Sequence, residues 1–349
     1  MILIPRHLAA ALILPVFLTG VSCQKEGGST PGGSARAPDM NSPAQTERTE
    51  FNRFRDETRH LYNDRKFAEL EALATKLRET KERFPDGEWK LLEFYNAQDP
   101  ADEDPVSMWE LHDKIHGEWV KAYPESITAR VAQARFYLAY AWQARGNGFA
   151  SEVTRKGWED FNERLAKAHS VLDESKPLKP GCPVWYSTMM RIALGEGWER
   201  ADYDALVKEA KAFAPEYHMY DLIRANYLLP RWHGEEGEWE AVAEKEIALQ
   251  GAAGAGIYAR VVTQNGKYHG NVFGETDASW RKTRDGYEDL LTAFPDSPKL
   301  LNRYCRLACL AGDKKQAQKL FARIGDDKAP GVWYKGEFDE ARKWGSAGK

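Results

Sequence analysis

Residues 297–325 read SPKLLNRYCRLACLAGDKKQAQKLFARIG, and this stretch decides the fold class. Ser297 stands where an N-cap belongs and Pro298 where a first helical residue tolerates a missing N–H. Small Cys305 falls within the first helix. Gly312-Asp313 supplies a left-handed stop and a fresh N-cap. Ala317 and Phe321 fall within the second helix, and Pro330 follows it. The segment reads as two helices joined by a tight turn.

The same grammar extends outward. Phe67, Leu70, Leu73 and Leu77 recur at three and four, as do Trp158, Phe161, Leu165 and Leu172, and Trp280, Tyr287, Leu291 and Phe294. That is the period of amphipathic helices, and no stretch of strict alternation competes with it. Prolines at Asp104-Pro105 and Cys182-Pro183 mark helix starts, Ser126 marks a cap, and Gly146, Gly195 and Gly251 follow helical stretches. About fourteen helices joined by short turns are expected, an all-α fold. One turn type recurs as Phe84-Pro85-Asp86-Gly87, Tyr123-Pro124-Glu125-Ser126 and Phe294-Pro295-Asp296-Ser297. Each copy is expected to close one helix and cap the next.

The 297–325 hairpin resembles a tetratricopeptide repeat, with its small residues where paired helices approach and large ones where the next groove is filled. It departs from that pattern at Ala308, where an aromatic is usual. The resemblance implies a helical-hairpin solenoid of degenerate tetratricopeptide-like repeats, held by nearest-neighbour contacts. A wider likeness covers most of residues 55–265. It is carried by RKFAELEALATKLRETKERFPDGEWKLLEFY, RIALGEGWERADYDALVKEAKAFAPEY and YLLPRWHGEEGEWEAVAEKE, with Leu228–Gly234 the most distinctive phrase. These resemble a bacterial family recorded only as a domain of unknown function, whose members are tetratricopeptide-like and often exported. The family has no assigned catalytic residue to carry over.

The N-terminus has a different character. Arg6, an apolar run from Leu8 to Leu18, and the small residues before Cys23 form an export signal over residues 1–22, too short for a stable span. Val21-Ser22-Cys23 resembles the bacterial lipobox, with Gly20 where Leu is preferred, which implies a diacylated Cys23. Cleavage by ordinary signal peptidase is the alternative. Residues 23–48 are Gly/Ser/Pro-rich and without apolar periodicity, as a flexible tether would be. Two acyl chains provide the stable anchoring that one cannot. Gln24 after the cysteine favours the outer membrane, by resemblance to enterobacterial sorting. Residues 49–349 form the helical domain.

Composition sets limits. The 349-residue chain carries a formal charge of -4, and removing residues 1–22 takes away Arg6 and no carboxylate. A slightly acidic balance argues against a nucleic-acid binder with a basic face. With 29% charged and 12% aromatic residues the chain is not broadly disordered. Beyond the signal, Cys182, Cys305 and Cys309 are an odd number and read as small buried hydrophobes.

Chemistry is sparse. His112 and His116, four apart on a helix, are a candidate zinc pair for a metal-dependent envelope hydrolase, but Asp113 replaces the expected glutamate and no third ligand follows. Gly251–Gly256 lacks the strand a dinucleotide site needs. Glu235, Glu236, Glu238 and Glu240 read as a solvated loop and first turn. Arg231-Trp232-His233 is the one candidate recognition cluster, weighed against Trp232 plugging a groove while Arg231 caps carbonyls. No cofactor and no catalytic residue is expected. The reading is a non-enzymatic scaffold that binds an envelope protein or peptide on a concave face.

Overall fold

The structure is a computed structural model that describes residues 42–146 and 148–346. The export signal, Cys23 and the tether up to residue 41 lie outside the described residues. Within them are sixteen α-helices, short 3-10 turns and no strand, so the chain is all-α. None of these helices is long and apolar enough to cross a membrane.

The expected hairpin is present. Helix α14 (Pro298–Leu310) starts under Ser297, whose hydroxyl accepts from the Leu300 amide, and α15 (Lys314–Ile324) starts under Asp313, which accepts from the Gln316 amide. Cys305 is fully buried against α15. The preceding arm is α13 (Trp280–Ala293), packed on α11 (Ala252–Asn265), and α16 (Glu337–Ser346) covers α15. Gly286 on α13 lies against the Ala255 carbonyl with no room for a Cβ. That absence sets how closely α11 and α13 cross.

The middle of the chain packs in sequence. Helices α4 (Val106–Ala122), α5 (Ile127–Arg145), α6 (Arg155–Glu174), α7 (Pro183–Glu196) and α8 (Arg200–Phe213) each lie against the next. Then α9 (Met219–Tyr227) packs on both α7 and α11, with α10 (Glu238–Gln250) alongside. Gly195 does not end a helix as expected, because α7 runs on to Glu196 and Gly197 takes the left-handed stop. The thin core is filled by large rings: Trp109, Trp119, Trp185 and Tyr203 are all essentially inaccessible.

Two expectations change at the N-terminal end. The tether was expected to run to residue 48, but helix α1 (Pro43–Asn63) begins at Pro43 under a Ser42 cap. Its first turn is docked, since the Ala44 amide donates to the Asp327 carboxylate at 3.0 Å. After α2 (Phe67–Thr80) comes the Phe84–Gly87 turn, which joins no two helices directly. Three residues separate it from α2 on one side, and α3 (Lys90–Asn96) starts beyond Trp89 on the other. At Tyr123–Ser126 and Phe294–Ser297 the turn does cap the next helix.

Nearest-neighbour stacking does not account for the whole molecule. Helix α1 packs on α14, and the two Phe-Pro-Asp turns meet. Gly87, with a positive φ of 79°, is pressed against the Phe294 ring. The first and last hairpins are therefore in contact, and the helical path closes on itself.

Candidate functional site

Where the path closes it leaves a cleft of about 530 Å³ between α1, the 84–96 segment, α14 and the Ala329–Gly331 loop. Helix α1 presents Ala44, Glu47, Arg48, Phe51, Asn52 and Arg55 to it. These positions fall at i, i+3, i+4, i+7, i+8 and i+11, one face of a helix. From α14 come Lys299 and Arg303, one turn apart, and from the segment before and within α3 come Phe84, Trp89 and Glu93.

The carboxylates around the cleft are all engaged. Glu47 accepts from the Ser297 hydroxyl at 2.9 Å and the Lys299 amide at 3.0 Å. Burial, with Asp86 nearby, nevertheless raises its pKa, against the pull of those donors. Asp86 accepts from Lys299 Nζ at 2.6 Å. Glu88 accepts from Arg260 Nη1 at 2.8 Å and from His218 Nε2 at 3.2 Å. Burial works to raise the Glu88 pKa, but the Arg260 and His218 charges outweigh it and hold the carboxyl well below its ordinary value. Glu93 accepts from the Asn96 amide at 3.1 Å and pairs with Arg55 at 3.2 Å, without the alignment of a hydrogen bond. Burial raises Glu93 despite Arg55.

The cations are less evenly served. Lys299, Arg55 and Arg260 each have a carboxylate partner. Arg48 and Arg303, both half-buried, have no ion-pair or hydrogen-bond partner among the described residues. Phe51, Phe84 and Trp89 are part of the same lining. Trp89 is 2% exposed and its indole N–H has no acceptor.

The residues singled out from the sequence lie elsewhere. Trp232 sits edge-on to Trp142 with ring centroids 5.7 Å apart. His233 stacks on Tyr227 at 4.7 Å and its Nε2 donates to the Leu194 carbonyl. Arg231 does not cap carbonyls: its guanidinium lies 3.8 Å over the Tyr268 ring, and its Nε and Nη2 are buried without a partner. Burial lowers the Arg231 pKa. None of the three lines the cleft.

His112 and His116 face inward on α4. Their rings pack at 5.1 and 5.0 Å from Tyr62, and His116 also lies 5.2 Å from Phe136. His112 Nδ1 donates to the Gln98 carbonyl at 2.9 Å. His116 is 1% exposed and neither ring nitrogen has a partner, so burial holds its pKa well below the ordinary range. Asp113 accepts instead from the Tyr137 hydroxyl at 2.7 Å. Among the described residues no group of three or more His, Cys, Asp or Glu is arranged to hold a metal ion. The 251–256 glycine run spans the break from α10 into α11. Of the acidic cluster, Glu235 and Glu236 are exposed, but Glu240 is buried and accepts from the Asp277 amide.

The site that sequence reasoning missed is the α1 face. Ser42-Pro43 is the same start signal as Ser297-Pro298, and it was there to be read.

The model of a family described as a domain of unknown function, DUF4034, matches residues 55–168. That span runs from Arg55, in the cleft, into α6, and the Leu228–Gly234 phrase lies beyond it. No curated protein and no solved structure matches the chain.

Proposed function

We propose that this protein is a non-enzymatic binding module of the bacterial cell envelope, which holds a peptide segment of a partner protein in the cleft between α1, α3 and α14. The observation that carries the proposal is the cleft itself. Its volume of about 530 Å³ falls within the range of ligand-binding pockets, and its lining combines apolar rings with a few placed polar groups, as such sites do. The helical path is a solenoid of degenerate tetratricopeptide-like hairpins whose curvature brings its first helix onto α14. Acylated Cys23 tethers the body to the outer membrane, with the polar segment before Ser42 as spacer.

Two experiments test this. A photo-crosslinking side chain at Asn52, on the exposed rim of the cleft, is expected to trap one defined envelope protein in intact cells. The same group at Arg155, 92% exposed on α6, is expected to trap none. Equal trapping at both positions, or none at Asn52, removes the cleft as the site. Cys23→Ser is expected to move the protein from the membrane fraction to the soluble envelope fraction.

A further inference from the structure

We infer that the peptide taken by the cleft is acidic, and that Arg48 and Arg303 are the residues that read it. The inference rests on the proposed peptide binding and adds the chemistry of the ligand. Every carboxylate facing the cleft is already matched: Glu47 by Ser297 and the Lys299 amide, Asp86 by Lys299, Glu88 by Arg260 and His218, and Glu93 by Asn96 and Arg55. Arg48 and Arg303 project from facing helices onto the same space and have no partner. Neither guanidinium is engaged by the folded chain, so both are free to pair with an arriving anion. Two such groups on α1 and α14 make a pair of unengaged guanidinium donors in the cleft, whose lining otherwise balances carboxylates against cations.

The walls define the rest of the ligand. Phe51 and Phe84 add apolar surface to the same lining. A peptide with both carboxylates and apolar side chains suits a lining that holds both guanidinium groups and apolar rings. Guanidinium forks pair with carboxylates in bidentate geometry, which gives direction as well as attraction.

The test uses three capped pentapeptides, Ac-Glu-Leu-Glu-Leu-Glu-NH2 and its Gln and Lys counterparts, titrated into the full chain by calorimetry at low and physiological salt. The acidic peptide is expected to bind at least about tenfold more tightly than the Gln peptide, since a hydrogen bond to a charged group is worth that factor or more. Arg48→Gln with Arg303→Gln is expected to abolish the difference and leave thermal unfolding unchanged, because neither side chain bonds to the folded chain. Arg53→Gln, on an exposed position of α1 outside the cleft, is the control and is expected to bind as the parent does. If all three peptides bind alike, the charge inference is overturned while peptide binding stands. If none binds, peptide binding itself fails, and the inference with it.

Discussion

Glu47 on the first helix helps cap a helix whose N-cap residue, Ser297, lies 250 residues later. Its carboxylate takes both the Ser297 hydroxyl and the Lys299 amide, two donors at the start of α14. The first amides of a helix have no partner within it, and its N-terminal end attracts negative charge. Glu47→Ala is expected to cost about 1–2 kcal/mol, the usual value of a helix cap. Hydrogen exchange should then quicken in residues 43–63 and around 297–302, while α5 to α8 stay protected.

The Arg260–Glu88 pair is a second long-range tie. Arg260→Ala leaves the largely buried Glu88 with His218 as its remaining bonded side chain and Lys299 as a further cation, and the loss is expected to be at most the roughly 3–5 kcal/mol of a buried pair broken from one side. The double change with Glu88→Gln should recover part of that loss in a urea-denaturation cycle. The acid dependence has a definite sign. Glu88 has a depressed pKa in the folded chain, so its contribution is full above the ordinary value of 4.5 and is lost as pH falls below it. Chains with Glu88→Gln should show a shallower acid limb.

How much of this was legible follows from particular residues. The α14–α15 hairpin could be read because its inward faces are apolar and its caps are local. The α1 face could not be read the same way, because its inward positions include Glu47, Arg48 and Arg55, and periodicity tracks only apolar side chains. Glu47 is held by Ser297 and Lys299 and Arg55 by Glu93, all far away in the chain. No local pattern announces them. The Arg231 cluster is ambiguous for the opposite reason, since a Trp beside an Arg looks alike in sequence whether it recognises a ligand or packs, as here, on Trp142 and Tyr268.

Asp221 provides a test of the opposite sign. It is buried on α9 with Lys211 Nζ at 2.9 Å, yet burial, together with Glu246 on the same lysine, raises its pKa from 3.8 to about 6. The folded chain therefore holds this proton more tightly than the unfolded one. Asp221 favours folding most below its unfolded pKa, and that contribution declines as pH rises from about 4 to about 6. Asp221→Asn should flatten this part of a stability–pH curve measured by urea denaturation.

Gly286→Ala should strike the α11–α13 crossing. The added methyl would have to displace the Ala255 carbonyl, which is backbone and cannot swing away. Overpacking of this kind costs about 1–3 kcal/mol and more where backbone must move, so a thermal midpoint several degrees lower is expected.

His112→Ala with His116→Ala should lower stability by about 2 kcal/mol or more through lost packing against Tyr62 and Phe136. Binding of the acidic peptide by the folded fraction should be unaffected. Loss of the protein's cellular activity with unfolding unchanged would instead assign these histidines a metal or acid–base role.

The contact between α1 and α14 also bears on how the molecule comes apart. A linear stack of hairpins can fray from its weaker end, one unit at a time, because each unit leans only on its neighbours. Once the first helix rests on the fourteenth, a hairpin cannot peel away without breaking contacts on two sides. The first opening anywhere along the path is then the hardest, and those after it are easier. Melting should accordingly be a single sharp event, and loosening α1 by removing Glu47 should turn it into a gradual one.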